Sequence, residues 1–257
     1  MANSKETLKK IKTTITHHIA VGSLTPGEAR KLRGQPHWTS LAMSGKVGRG
    51  GLRPLLQREY SDRPPWSLSN ALRASLHYFL ELQDSARPRD IPTGPQGRRL
   101  WVAATDGEAE KQAAPSLGYC LACPQGGTRV AGYAKVPQSH LEKWAPKKQV
   151  ICLVELAAVA TLLAEEEALL QNSDVILFVD NSAAVSAYIK GRSGCPQLDA
   201  LAQQIHLTAY RTDTRLWMEY VETTANWADG VSRRGLECPW AYANGFTVRT
   251  VRVPKLP

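Results

Sequence analysis

A run of five apolar residues that ends in an aspartate is the feature that most constrains the fold of this chain. The run, Val175 to Val179, predicts a strand buried on both faces, as occurs in sheets covered by helices on both sides. Asp180 follows it directly, and the chain then turns through Asn181 into a predicted helix that ends near Gly191. A carboxylate is therefore expected at the carboxyl end of a buried strand, where capping the helix and binding a ligand are alternative roles.

The second half of the chain adds further predicted strands and helices around this strand. Three strands are predicted between residues 100 and 135, followed by a long helix over 151–170 and, after the central strand, a helix over 197–210. The stretch TRLWMEYVE predicts a fifth strand. A meander followed by β-α-β units predicts an α/β fold with a mixed five-stranded sheet and flanking helices.

The first third of the chain differs in charge and composition. Residues 1–99 contain 17 Lys and Arg but 7 Asp and Glu, a net charge of +10, whereas residues 100–257 have a net charge of −1. Helical spacing of apolar residues predicts a small, mostly helical segment, and the Pro, Gly and Arg of residues 85–99 are typical of a linker. We predict a basic helical segment over 1–97, an α/β domain over 98–235 and a C-terminal tail over 236–257. The basic segment favours a polyanion partner such as nucleic acid, with an ordinary soluble surface as the alternative.

Hydropathy and cysteine content limit where the protein works. No apolar run reaches the roughly 20 residues that a membrane-spanning helix needs, so no membrane partner is expected. Five cysteines, an odd number, are atypical of a secreted disulfide scaffold and predict an intracellular protein of the cytoplasm or nucleus. The pair Cys120 and Cys123 is interpreted as structural, because positions i and i+3 of a strand face opposite sides of a sheet.

Four acidic residues occupy positions where acidic side chains need an explanation. Asp106 ends the first predicted strand, Glu155 lies on an apolar stripe of the long helix, and Asp229 follows the last strand. A turn role for Asp106 and helix-cap roles for Asp180 and Asp229 are the structural alternatives. If the four carboxylates converge at one sheet edge, their repulsion requires a counter-ion, and hard oxygen ligands suit Mg²⁺ or Mn²⁺.

Residues 98 to 235 resemble the ribonuclease H domain of retroelement reverse transcriptases, most closely the tyrosine-recombinase (DIRS-type) elements. The resemblance is carried by an Asp-Gly in the first strand, by the stretch VDNSAAVSAYIKG and by the stretch NWADGVSR. The last stretch matches the pattern Asn-x-Ala-Asp-x-x-Ser-Arg through Asn226, Ala228, Asp229, Ser232 and Arg233.

The resemblance implies a metal-dependent endonuclease that hydrolyses the RNA strand of RNA–DNA hybrids with two Mg²⁺ or Mn²⁺ ions. The implied catalytic residues and metal ligands are Asp106, Glu155, Asp180 and Asp229. The residues expected to contact nucleic acid are Asn181, Asn226, Ser232 and Arg233. Hydrolysis would use two metals to clamp the scissile phosphate, so no side chain has to act as the nucleophile.

The first third resembles the segment between the polymerase palm and ribonuclease H in such elements, and other parts of a retroelement polyprotein are therefore possible partners. No Tyr-x-Asp-Asp hairpin is found, so no polymerase activity is expected from this chain alone. A 3′–5′ exonuclease is disfavoured because Thr224 and Ala225 stand where its histidine or tyrosine is needed. Many ribonucleases H also carry a loop histidine before the last aspartate, and none lies between His206 and Asp229. A catalytically weak or inactive nucleic-acid-binding module and a protein-interaction scaffold therefore stay as alternatives.

Overall fold

The computed structural model describes residues 5–42, 46–49, 51–85, 97–109, 114–144 and 150–257. The chain divides into two compact units, Met1–Thr93 and Gly94–Pro257. Most of the predicted linker, residues 86–96, lies outside the described residues. No helix in the described ranges is long and apolar enough to span a membrane.

The first unit is helical, as predicted. Thr25 and Glu28 form a capping box, in which the Thr25 backbone N–H donates to Glu28 at 2.8 Å and the hydroxyl of Thr25 accepts from the Glu28 N–H at 3.4 Å. The helix that begins there continues past Gly34, because a single glycine is tolerated inside a helix. The helices of this unit are α1 (Lys5–Val21), α2 (Pro26–Ala42), α3 (Leu52–Tyr60) and α4 (Asn70–Asp84).

The second unit confirms the predicted α/β class and the mixed sheet. The strand order is β5-β4-β1-β2-β3-β6; β2 runs antiparallel to its two neighbours, and the other neighbouring pairs are parallel. The strands are β1 (Leu100–Glu108), β2 (Ser116–Ala122), β3 (Arg129–Lys135), β4 (Asp174–Val179), β5 (Arg215–Tyr220) and β6 (Thr247–Thr250). The helices are α5 (Gln138–Trp144), α6 (Ile151–Glu165), α7 (Glu167–Leu170), α8 (Ser182–Lys190), α9 (Pro196–Arg211), α10 (Asp229–Arg234) and α11 (Pro239–Ala243).

The sheet has six strands rather than the five predicted, because β6 lies in the segment interpreted as a tail. β6 has only four residues, too few for the alternation of apolar and polar residues to identify a strand from the sequence. It pairs in parallel with the edge of β3, and Leu256 beyond it is buried in the core of the unit. The C-terminal segment is therefore part of the α/β unit.

An ion pair between buried Glu166 and exposed Arg249 further fixes this segment. Glu166, between α6 and α7, accepts hydrogen bonds from the Tyr119 hydroxyl at 2.5 Å and from Arg249 of β6 at 2.7 Å. Three successive glutamates, as in Glu165 to Glu167, are typical of a solvated surface, but Glu166 is buried. The break between α6 and α7 turns its side chain toward the sheet, which a continuous helix over 151–170 did not predict.

Two cores cover opposite faces of the sheet. Trp101, Ala103 and Leu117 pack with α6, α8 and α9, whereas Cys120 and Ala131 pack with α10 and α11. Neighbouring residues of a strand point to opposite faces, so the helix that carries Glu155 and the helix that begins at Asp229 lie on different sides of β1 and β2. A site that used both residues would have to form at the end of the sheet.

Candidate metal centre at the carboxyl ends of β1 and β4

Three of the predicted carboxylates meet at the end of the sheet. β1 and β4 are parallel neighbours whose last pair is Thr105 with Val179, so Asp106 and Asp180 follow side by side. Glu155 reaches the same point from α6, and one carboxylate oxygen from each residue lies within 4.8 Å of the others. We call Asp106, Glu155 and Asp180 the three-carboxylate cluster.

A glycine allows α6 to approach β1 this closely. A Cβ atom at Gly107 would lie 2.9 Å from the backbone nitrogen of Glu155 and 2.9 Å from Cγ1 of Val154. The Gly107 N–H also donates a hydrogen bond to the Glu155 carboxyl group. Gly107 thus allows α6 to pack closely on β1. Asp106 lies within β1, so it is not the turn residue considered as an alternative.

Burial and mutual repulsion dominate the electrostatics of the cluster. Burial, together with the charges of Asp106 and Asp180, raises the pKa of Glu155 to about 9. Burial also raises the pKa of Asp106 to about 6, against a hydrogen bond from Ser232 that lowers it. Without a cation, the protein thus holds Glu155 protonated at neutral pH.

The residues of the cluster fit a divalent cation. Oε2 of Glu155 is buried and has no hydrogen-bond partner in the part of the chain that the structure describes. Within those ranges, none of the three carboxyl groups forms an ion pair with a lysine or arginine, and the arginine beside them, Arg233, pairs with other acids. Several carboxylate oxygens gathered around one point are the ligands that Mg²⁺ and Mn²⁺ prefer. The cluster opens into a surface pocket that Ile151 and Thr223 also line.

The fourth predicted ligand, Asp229, lies outside the three-carboxylate cluster. It is the first residue of α10, and its Oδ1 accepts a hydrogen bond from Nε of Arg233 at 2.8 Å. Arg233 also forms an ion pair of 2.8 Å with Glu108 at the end of β1. Asp229 is still close enough to contribute to the raised pKa of Asp106. The structure therefore brings together three of the four carboxylates and pairs the fourth with an arginine.

Asn181 resolves the alternative roles of Asp180. The side chain of Asn181 accepts from the Ala184 N–H at 3.0 Å and caps α8, so Asp180 is not the cap of this helix. The Asn181 side chain also lies 3.5 Å from the thiol of Cys152 on α6. Its contact with nucleic acid stays a prediction, and its observed role is to start the helix directly after the cluster.

The side chains of Asn226 and Ser232 form hydrogen bonds within the protein. Asn226 donates to the Thr105 carbonyl at 3.0 Å and accepts from the Ala228 N–H at 3.1 Å. Ser232 is fully buried and donates to a carboxylate oxygen of Asp106. Their side chains attach the segment around Asp229 to β1, and the contacts with nucleic acid predicted for both residues stay a prediction.

Gly118 is a further residue of the site that the sequence analysis missed. It pairs with Asp106 across β1 and β2, and a Cβ atom there would lie 2.5 Å from the backbone nitrogen of Ser232. Its missing side chain is what allows α10 to reach the sheet and Ser232 to reach Asp106. A glycine inside an apolar strand is the signal that could have predicted this close approach.

No protein-family model and no curated protein sequence matches this chain. Similar solved structures include the N-terminal ribonuclease H domain of a Mycobacterium tuberculosis protein fused to maltose-binding protein, with 16% identity over 52% of this chain and 91% of that one, and a TM-score of 0.36. Ribonuclease H1 of Halobacterium salinarum is similar at 14% identity over 49% of this chain and 87% of that one, with a TM-score of 0.32. A foamy viral protease-reverse transcriptase in complex with an RNA/DNA hybrid is similar at 9% identity, with a TM-score of 0.33 and coverage of 67% of this chain and 25% of that one.

Proposed function

We propose that the second unit is a metal-dependent nuclease that hydrolyses the RNA strand of RNA–DNA hybrids. The observation that carries the proposal is the three-carboxylate cluster, in which a strand end, a neighbouring strand end and a buried helix direct carboxyl groups to one point. The sequence resemblance to retroelement ribonucleases H supports the choice of substrate, because the same residues are its implied ligands.

The chemistry follows from what the cluster can hold. Asp106, Glu155 and Asp180 would bind one ion, and Asp229 would complete a second site. When bound, Mg²⁺ or Mn²⁺ neutralises charge on the scissile phosphate and lowers the pKa of the attacking water. Binding requires Glu155 to lose its proton, so its carboxyl group changes from a buried acid to a ligand.

The rest of the chain would supply orientation and affinity. Ser232 and Asn226 fix the segment around Asp229 against β1, so the fourth carboxylate has little distance to move. The basic first unit would bind backbone phosphates with an affinity that depends on salt but not on sequence. Selection of RNA over DNA would use the 2′-hydroxyl group of the cleaved strand.

Two observations favour a second candidate, a nucleic-acid-binding module with weak or no turnover. Asp229 pairs with Arg233 and lies outside the three-carboxylate cluster, and no histidine lies between residue 206 and residue 229. Such a module would bind the hybrid and Mg²⁺ but would cleave slowly or not at all. We also propose that the protein derives from a retroelement and that other parts of a retroelement polyprotein are its partners.

A hybrid-cleavage assay tests the two candidates. The full chain, with Mg²⁺ or EDTA, is mixed with a hybrid labelled on either strand, and Asp180→Asn is compared with Glu142→Gln, which removes one charge from exposed Glu142. We expect cleavage of the RNA strand only, lost in EDTA and reduced by a factor of about 100 or more in Asp180→Asn. Cleavage unaffected by Asp180→Asn would refute the proposal, and binding without cleavage in the wild type would favour the module.

A further inference from the structure

Arg233 bridges two acidic residues at the border of the candidate metal centre. Its Nε donates to Asp229 one helical turn earlier, and its Nη1 lies 2.8 Å from Oε2 of Glu108. Its side chain also lines the pocket into which the three-carboxylate cluster opens. A guanidinium group has several donors in a fixed plane, which suits it to hold two carboxylates that come from different elements.

This bridge affects how well the Asp229 carboxylate can bind a cation at the cluster. The Asp229 oxygen that accepts from Nε of Arg233 shares its charge with the arginine, which makes it a weaker ligand for a cation at the cluster. The arginine also places a positive charge at the edge of the pocket, where a second cation would be repelled. The structure shows Asp229 paired with the arginine, and a second cation would favour its release toward the cluster.

Building on the proposed function, we propose that Arg233 is a positioning residue that withholds Asp229 from the metal centre, so that a second divalent cation must compete with Arg233 for this carboxylate. The cluster would bind the first ion without any change at Arg233. The second ion would bind only as the Arg233 bridge opens. Arg233 therefore makes the occupancy of the second site depend on cation concentration.

Mn²⁺ binding to the full chain without nucleic acid tests this directly, because it needs no catalysis. Isothermal titration calorimetry and Mn²⁺ electron paramagnetic resonance would count the ions and give their affinities. We expect the wild type to bind two ions, the second with an affinity at least about tenfold lower than that of the first. Arg233→Gln should tighten the second site by about tenfold, whereas Arg234→Gln, which removes the same charge from an exposed neighbour, should change it less than about twofold.

A double-mutant cycle separates an action through Asp229 from simple charge repulsion. In an Asp229→Asn background, Arg233→Gln should no longer tighten the second site, because the carboxylate that it releases is missing. Arg233→Lys keeps the charge but loses the two-point bridge, so its gain should be smaller than that of Arg233→Gln. Retention of the wild-type melting temperature in EDTA would show that each variant is folded. An EDTA concentration of about 1 mM is sufficient, because it has to exceed only the protein concentration.

The outcomes distinguish this proposal from the proposed function. If Arg233→Gln and Arg234→Gln have equal effects, or if the gain persists with Asp229→Asn, Arg233 does not act through Asp229. In that case a saturable Mn²⁺ site that Asp106→Asn abolishes would still support the proposed function. If the wild type has no such site, the proposed function fails, and the role assigned to Arg233 fails with it.

Discussion

The two ends of the parallel strands β1 and β4 both gather acidic side chains, but among the described residues only the amino end pairs them with a largely buried arginine. At the amino end, Arg98 donates from Nε to Asp174 and from Nη1 to Asp213, both at 2.9 Å, and its Nη2 donates to the Ser173 carbonyl at 3.0 Å. At the carboxyl end, the three-carboxylate cluster has no such partner among the described residues, and Arg233 pairs with neighbouring acids instead. The same two strands thus present a satisfied acidic cluster and an unsatisfied one.

Under the proposed function, the difference separates acids that stabilise the fold from acids that would bind a cation. At the amino end, the positive charge of Arg98 compensates the carboxylates of Asp174 and Asp213, so no external cation is needed. At the carboxyl end, burial raises the pKa of Glu155 and Asp106, which is the cost of collecting carboxyl groups without a cation. Strongly raised pKa values of acids that line a pocket are typical of a functional site.

Removing Arg98 should have the largest effect on stability. Arg98→Ala leaves Asp174 and Asp213 without their cation, and breaking a mostly buried ion pair costs about 3–5 kcal/mol; because these carboxylates are partly exposed, we expect the low end of that range. Denaturant unfolding measures the loss, with Arg99→Ala at the exposed neighbouring position as control. Mn²⁺ affinity of the folded fraction should be unchanged; a parallel loss of Mn²⁺ binding would show that the two ends are not independent.

The same substitution at the two ends should affect cation binding very differently. Asp106→Asn removes a ligand of the proposed centre and should weaken Mn²⁺ binding by about 100-fold, which corresponds to about 2.7 kcal/mol. Asp174→Asn removes the partly exposed acid that Arg98 pairs at the other end of the same strands, and it should change Mn²⁺ affinity less than about twofold. Calorimetric titration of both variants gives the comparison, and equal losses would remove the distinction between the two clusters.

Glu155→Gln should stabilise the metal-free protein at alkaline pH. The folded pKa of Glu155, about 9, is above its ordinary value of 4.5, so the folded state binds a proton that the unfolded chain has released. Stability without divalent cations should therefore fall as the pH rises from about 4.5 to about 9. At about pH 8, near the top of that window, the loss is at most about 5 kcal/mol at about 1.36 kcal/mol per pH unit, and Glu155→Gln should remove most of it.

The measurement is a set of unfolding curves in EDTA across that pH window. Glu167→Gln, at an exposed position, is the matched control and should show the pH dependence of the wild type. Saturating Mn²⁺ should stabilise the wild type and not Glu155→Gln. A pH dependence that is identical in wild type and Glu155→Gln would mean that Glu155 is ionised in the folded state.

Strand patterns predicted the centre of the sheet, but not its close contacts. The apolar run before Asp180 and the helical stripe around Glu155 were sufficient to predict which elements carry these residues. Parallel pairing of β1 with β4 then brings Asp106 beside Asp180, which follows from the β-α-β order. These features depend on periodicity along the chain, which a sequence contains directly.

Features that depend on contacts between distant residues could not be predicted in this way. The bridge that Arg233 forms between Asp229 and Glu108 requires the position of α10 on β1, and that position depends on the absence of a side chain at Gly118. Burial of Glu166 depends on Tyr119 and on a strand more than 80 residues away. The sequence around each of these residues resembles an ordinary charged surface, so pattern alone assigns it no partner.

The smallest predicted effect concerns Asn181, the residue directly beside the cluster. Its side chain is already used to cap α8, so Asn181→Ala should destabilise the fold by about 1 kcal/mol, and Asn181→Ser should restore most of this loss because serine caps equally well. Neither variant should alter Mn²⁺ affinity by more than about twofold, since the cap does not contribute a carboxylate. Denaturant unfolding and calorimetry on the two variants measure both effects. A large loss of Mn²⁺ binding in Asn181→Ala, restored in Asn181→Ser, would instead show that the cap holds Asp180 in place for the metal, and that the satisfied and unsatisfied groups at this end of the sheet act together.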